Sequence, residues 1–177
     1  DGATVAGANF EANIAFGPKW MFQMGGTLQS AQYDTPEEIW APETLTDANQ
    51  DSVVTSESLL RTPTAYGYFM ANYSPVQPLQ LSLSGVFTGT MDVPHIIDPE
   101  TEFTVLESTP SFFELNSKVT YELKLDDRFH LDIFGGVQNI FNSFQEDFDR
   151  GADRDAGYIY GPVRPRTFFA GVKVHFE

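Results

Sequence analysis

The sequence predicts an all-β fold, with residues 1–177 forming about seven strands of an antiparallel up-and-down transmembrane β-barrel. Runs such as Leu79 to Met91 and Leu115 to Leu125 alternate apolar and polar residues, the period-two mark of a strand with a different environment on each face. The joints alternate too. Tight ones at Gly17-Pro18-Lys19, Ser74 to Pro78 and Asp126-Asp127-Arg128 are each followed by a long polar one, at about 34–60, 92–109 and 143–163. Short turns at one end and long loops at the other are the layout of an outer-membrane barrel. Mean hydropathy is −0.24, and no window approaches the ~18 uninterrupted apolar residues of a transmembrane helix. A span here would have to be made of strands.

Strands are expected at 4–16, 20–33, 62–74, 79–91, 111–125, 129–142 and 164–176. The first two keep the period faintly, through Phe10, Ala12, Ile14 and Phe16, then Trp20, Phe22 and Met24. The third, around Tyr66 to Tyr73, is ambiguous in phase. In the fourth, Leu79, Leu81, Leu83, Gly85, Phe87, Gly89 and Met91 oppose a mostly polar row of Gln80, Ser82, Ser84, Val86, Thr88 and Thr90. The fifth sets Leu115, Val119, Tyr121, Leu123 and Leu125 against Glu114, Asn116, Lys118, Thr120, Glu122 and Lys124. The sixth opposes Phe129, Leu131, Ile133 and Val137 to His130, Asp132, Gln138 and Asn142. The seventh opposes Phe168, Ala170, Val172, Val174 and Phe176 to Phe169, Gly171, Lys173 and His175. Twelve residues rising ~3.3 Å each and tilted ~40° climb about 30 Å, the thickness of a hydrocarbon core. Phe16, Trp20, Tyr73 and Phe129 near the turns, and Tyr33, Phe87, Phe141 and Tyr160 toward the loops, suggest two interfacial girdles.

The formal net charge of −15 disfavours a nucleic-acid partner, which would need a basic face. The absence of cysteine excludes disulfides and thiolate zinc sites. The chain opens on Asp1-Gly2-Ala3 with no starting Met or signal peptide and reads as a fragment of something larger. Parity says the same: if short turns are periplasmic, an odd set of seven strands ends in the periplasm. Single-chain bacterial barrels have even counts, and a lone odd sheet would leave two unpaired edges in lipid.

The last fifty or so residues supply a more specific clue. Val137 to Asn142, a long acidic loop, and Gly161 to Thr167 before a strand ending at Phe176 resemble the C-terminus of TonB-dependent outer-membrane receptors, with loop details closest to Bacteroidetes-type members. Gly26 to Asp34, and Thr88 to His95, are similar to earlier barrel segments of that family. The resemblance implies a whole protein of about 22 strands around an N-terminal plug. It implies uptake of a scarce nutrient complex (ferric siderophore, haem or cobalamin), energised by the TonB complex through a short N-terminal box. Neither plug nor box lies in these residues, so the chain alone is not expected to transport. Implied partners are outer-membrane lipid and lipopolysaccharide, the plug, the remaining barrel strands, and a surface lipoprotein. The family commonly ends on an aromatic residue read by the assembly machinery, whereas here Glu177 follows Phe176.

Candidate sites lie in the long joints. Asp147, Asp149, Asp153 and Asp155 invite a calcium reading, since hard cations want carboxylate oxygens, but their spacing fails the EF-hand pattern and no closing Glu follows. The competing reading is a solvated loop with internal ion pairs to Arg150 and Arg154. Arg164 and Arg166 suit an anionic ligand, because guanidinium binds carboxylate bidentately; pairing with loop acids or lipopolysaccharide is the plainer alternative. His95 is a candidate haem ligand, and Trp40, Tyr158 and Tyr160 could stack on a planar ligand or anchor at an interface. His130 and His175 share no metal-ligand spacing with it. Lys118, Lys124, Lys173, Glu114, Glu122 and Asp132 are expected to face inward and satisfy one another or plug residues. No nucleophile–base pair, phosphate loop or cofactor motif stands out, so neither an enzyme nor a resident cofactor is expected. A passive porin or adhesin barrel, or a soluble all-β ligand-binding module, would fit the same alternation.

Overall fold

The computed structural model describes residues 2–44, 52–126 and 129–176. Its strands are β1 (Ala3–Phe16), β2 (Trp20–Trp40), β3 (Val54–Ser58), β4 (Ala65–Val76), β5 (Leu79–Thr88), β6 (Asp92–Asp98), β7 (Phe103–Ser108), β8 (Phe112–Lys124), β9 (Phe129–Gln138) and β10 (Thr167–Phe176). One sheet runs β1-β2-β4-β5-β8-β9-β10 with β3 beside β2, while β6 and β7 form a separate hairpin. Every pairing is antiparallel. The seven expected strands are the seven of this meander. The sheet does not close into a barrel: β1 and β10 are its two edges.

Several expected boundaries need correction. β2 continues past residue 33 to Trp40 because β3 pairs with it across Gln32–Trp40, inside what the sequence suggested was a loop. The polar joint 92–109 is largely the β6–β7 hairpin. β5 stops at Thr88, short of 91, where the chain leaves the sheet to enter that hairpin. β9 stops at Gln138 because Asn139 and Asn142 take φ of 50° and 56°, a left-handed conformation that asparagine tolerates better than most residues. β10 begins at Thr167 and not 164, since Pro165 has no amide to give a ladder. Of the tight joints, Gly17 turns at φ 60° and Gln77-Pro78 links β4 to β5; Asp127 and Arg128 lie outside the described residues.

Residues directly opposite in an antiparallel ladder share a face, so the registers sort the whole sheet. One face carries Phe16, Trp20, Tyr73, Leu81 and Val119 in one row, and Ile14, Phe22, Ala71, Leu83, Ser117, Val137 and Phe168 in the next. Ala12, Met24, Phe69, Gly85 and Leu115 follow above them. On the other side of those rows lie Tyr121, Ile133 and Val172, then Leu123, Leu131 and Val174. The opposite face alternates Glu11, Gln23, Asn72, Ser82, Ser84, Asn116, Lys118, Glu122, Asp132, Lys173 and His175 with aromatics. The ambiguous third strand is thereby settled. Phe69, Ala71 and Tyr73 stand on the apolar face, while Tyr66, Tyr68, Met70 and Asn72 stand on the polar one.

Among the described residues nothing covers the apolar face: Phe10, Phe16, Phe168 and Phe176 are among its many exposed apolar side chains. Leaving a residue of this size in water instead of burying it forfeits about 1.5–3 kcal/mol. The enclosed hydrophobics are instead Val93, Phe112 and Tyr158. They belong to the β6–β7 hairpin, the loop end of β8 and the 143–163 segment. We call this assembly the loop-end cap.

Candidate functional site

The cap is held by polar side chains whose positions follow from the end of β9. Asn139, buried, donates from Nδ2 to Ser143 O and Arg164 O, both at 2.9 Å, and its Oδ1 accepts from Ser143 N–H at 2.9 Å. Asn142 Oδ1 accepts from Arg166 N–H at 2.9 Å. The two left-handed asparagines therefore start the acidic segment and also fix its return to β10. Between them and that return lies Gln145, 1% exposed. Its Nε2 donates to Tyr158 O at 3.1 Å, and its Oε1 accepts from Tyr160 and Gly161 N–H at 3.0 and 3.3 Å.

This folding brings Tyr158 and Tyr160 onto one carboxylate. Tyr158 OH donates to Asp147 Oδ2 at 3.1 Å, and Tyr160 OH lies 2.6 and 2.7 Å from the two carboxylate oxygens. Burial alone would raise the Asp147 carboxyl, but the hydroxyls of Tyr160 and Tyr158 outweigh it and hold the group below its usual range. The same burial, then the carboxylate, raises both phenols, that of Tyr158 to about 12.

The segment is tied to the hairpin by aspartates. His95 stacks on Tyr158 with ring centres 3.7 Å apart, and its Nε2 lies 3.2 Å from Asp149 Oδ2. Asp149 also accepts from Asp155 N–H at 3.0 Å, which is the main reason its carboxyl is lowered. Asp155 in turn accepts from Ile96 N–H at 3.0 Å and Gly157 N–H at 2.7 Å. Arg61, at φ 57°, donates to Ile159 O at 3.0 Å and Gly157 O at 2.6 Å.

Of the sequence candidates, His95, Tyr158, Tyr160, Asp147, Asp149 and Asp155 thus meet in one cluster, while Asp153 is exposed on the segment's surface. Their carboxylates are spent on protein donors, and among the described residues no group of three or more His, Asp or Glu is placed to hold a metal. Trp40 lies apart. It packs edge-on against Phe103 at 4.6 Å and borders a cleft of about 960 Å³ lined also by Glu43, Asp98, Glu100 and Glu102. Arg164 and Arg166 contribute backbone groups to the asparagine turn while their side chains stay exposed.

The expected internal ion pairs are not what binds this loop. Two ion pairs join described residues, and both use histidine: His95–Asp149 and His175–Asp132, the latter at 2.8 Å. Arg154 donates to the carbonyl of Gly151 instead. On the polar face Asp132 pairs with His175 and Lys118 sits over the Phe134 ring at 4.6 Å; among the described residues the inward lysines form no ion pair with the inward acids, which leaves plug residues as the other expected partner. Gln145, Asn139 and Arg61 were not among the candidate site residues. Asn139 lay in the motif that carried the family resemblance, whereas Gln145 and Arg61 act through backbone groups far away in sequence.

No known protein family matches the chain, and no curated protein matches it.

Proposed function

We propose that this chain is a sector of the wall of an outer-membrane β-barrel that takes up a scarce nutrient complex in a TonB-dependent manner. One observation carries the membrane part. The row Phe16, Trp20, Tyr73, Leu81, Val119, Gly135 and Ala170 crosses seven strands on a face that no described residue covers, while the opposite face carries the sheet's charged and amide side chains among aromatics. Lipid on one side and a wet lumen on the other satisfy both faces. The unpaired edges β1 and β10 then call for further strands, because open edges are not viable in lipid. The cap lies at the long-loop end, the outer side on this reading, with the C-terminus periplasmic. The TonB-dependent part rests on the sequence resemblance around Asn139 to Asn142 and Arg164 to Thr167.

Extraction tests the first part: the natural protein is expected to stay with the membrane fraction until detergent is added, and recovery in the aqueous fraction would sink it. Growth tests the second. Cells lacking TonB, and cells lacking this protein, are expected to share one defect on a defined ferric-siderophore, haem or cobalamin source. A passive porin would show uptake indifferent to TonB.

A further inference from the structure

We infer that the polar face of β1, β2, β4 and β5 holds a cleft for an organic cation, an ammonium group carried by the nutrient that passes it. The inference rests on the uptake reading above only in placing this face on the lumen. Two adjacent ladder rows build the cleft: Glu11, Gly25, Tyr68 and Val86, then Asn9, Thr27, Tyr66 and Thr88. With Pro63 they line a hollow of about 710 Å³. A second hollow, of about 450 Å³, shares Asn9, Thr27 and Tyr66 with it. Gly25 makes the floor. It is buried, and a Cβ added there would stand 2.8 Å from Tyr68 Cε1, so the Tyr68 ring lies across bare backbone. Tyr68 nevertheless stays 41% exposed and Tyr66 44%, which leaves aromatic surface open to a ligand. Tyr68 OH donates to Glu11 Oε1 at 3.4 Å, and Gln23 Nε2 donates to the same oxygen at 3.5 Å. The carboxylate is thereby held beside the ring.

Charge selects the occupant. Glu11 is the one charged residue among those lining the larger hollow, and no lysine or arginine borders either hollow. Both donors to Glu11 are neutral and no ion pair among the described residues includes it, so its charge is uncompensated. The next charged side chain along its row is Glu114, another acid. Lys118 stands two rows away on β8, over the Phe134 ring. An anion is repelled here, and a neutral ligand forgoes the attraction of the carboxylate. An alkylated ammonium group gains from both parts, because its charge meets the carboxylate while its methyl groups lie on the negative face of a ring. The chain's net charge of −15 further concentrates cations near such a cleft.

The test uses the natural protein purified in detergent, with choline as the probe and binding followed by saturation-transfer NMR. Choline is expected to bind with a dissociation constant in the millimolar range. Its uncharged isostere, with carbon in place of nitrogen, and glucose are each expected to bind at least about five-fold more weakly. Glu11→Gln and Tyr68→Leu should each weaken choline by about five-fold, and Glu11→Gln carries the test if Tyr68→Leu fails to fold. Glu122→Gln, which removes an acid of the same face outside the cleft, should leave binding unchanged. Equal binding of choline and its isostere overturns the proposal, as does choline binding that ignores both cleft substitutions. An equal loss in Glu122→Gln overturns it by assigning the attraction to the diffuse charge of the chain. Tighter binding of glucose overturns it in favour of a neutral sugar. A protein that needs no detergent sinks the membrane reading while choline still reports on the cleft, whereas a detergent-requiring protein indifferent to choline sinks this inference alone.

Discussion

In the seven-stranded sheet, Phe10, Leu83 and Phe168 stand on a face that no described residue covers, whereas in the loop-end cap Val93, Gln145 and Tyr158 are almost wholly enclosed. The sheet satisfies its backbone internally through long ladders and leaves its side chains to an outside medium. The cap does the reverse. Its backbone is irregular over 143–163, and the buried amides of Asn139 and Gln145, with the more exposed carboxylates of Asp149 and Asp155, replace the missing ladder. Buried backbone polar groups must find partners by one route or the other. The difference teaches that the two regions are held by different means, so substitutions and pH should separate them.

The largest separation is expected on the sheet. Leu83→Arg, midway along the apolar face, should cost about 2–4 kcal/mol in a bilayer, while Ser82→Arg on the polar face should cost under about 1 kcal/mol. Urea titration of protein refolded into vesicles measures both, and equal costs would erase the distinction between faces. Next comes the cap: Gln145→Leu strands the carbonyl of Tyr158 and the amides of Tyr160 and Gly161, for about 2–3 kcal/mol. Hydrogen exchange should quicken at 157–161 and stay unchanged in β5 and β8; a uniform increase would mean that the regions are coupled.

Acid should also act on the cap first. Asp147 and Asp149 have lowered carboxyls in the folded state. Their stabilisation is therefore present above the unfolded value of about 3.9 and is lost as pH falls through the folded one. Tyr158, raised to about 12, has the opposite sign: its share is present below about 10 and is lost as pH rises through the folded value. Tyrosine fluorescence and local exchange should report loosening at both extremes, with the acid limb reduced in Asp147→Asn. The smallest effect is expected for Asn142→Gly. The substitution relieves a φ of 56° but removes the acceptor for Arg166 N–H, and the two should cancel to within about 1 kcal/mol. A larger loss would give that hydrogen bond more weight than the conformation.

The sheet was legible because period two survives in each long strand from Leu79 to Phe176, and one chain suffices to show it. β4 was not, since Tyr66 and Tyr68 on one face and Phe69 and Tyr73 on the other blur the alternation. The β6–β7 hairpin hid inside a polar joint, although Ile96, Ile97, Phe103, Val105 and Leu106 around Asp98-Pro99 offered a short two-run signal. For the cap, residue type flagged His95, Tyr158 and Tyr160 correctly as a group of interest but could not say that Asp147 would accept from both tyrosines. That depends on where Asn139 and Gln145 send the chain. Side chains that bond to distant backbone leave no period or spacing behind.

Because hydrogen bonds and ring stacking hold the cap, with one histidine ion pair at 3.2 Å, ionic strength should act on it in a single direction. Added salt screens long-range repulsion among the chain's surplus acids far more than it weakens short contacts between partly buried groups. Brine should therefore tighten the cap, and dilution should loosen it.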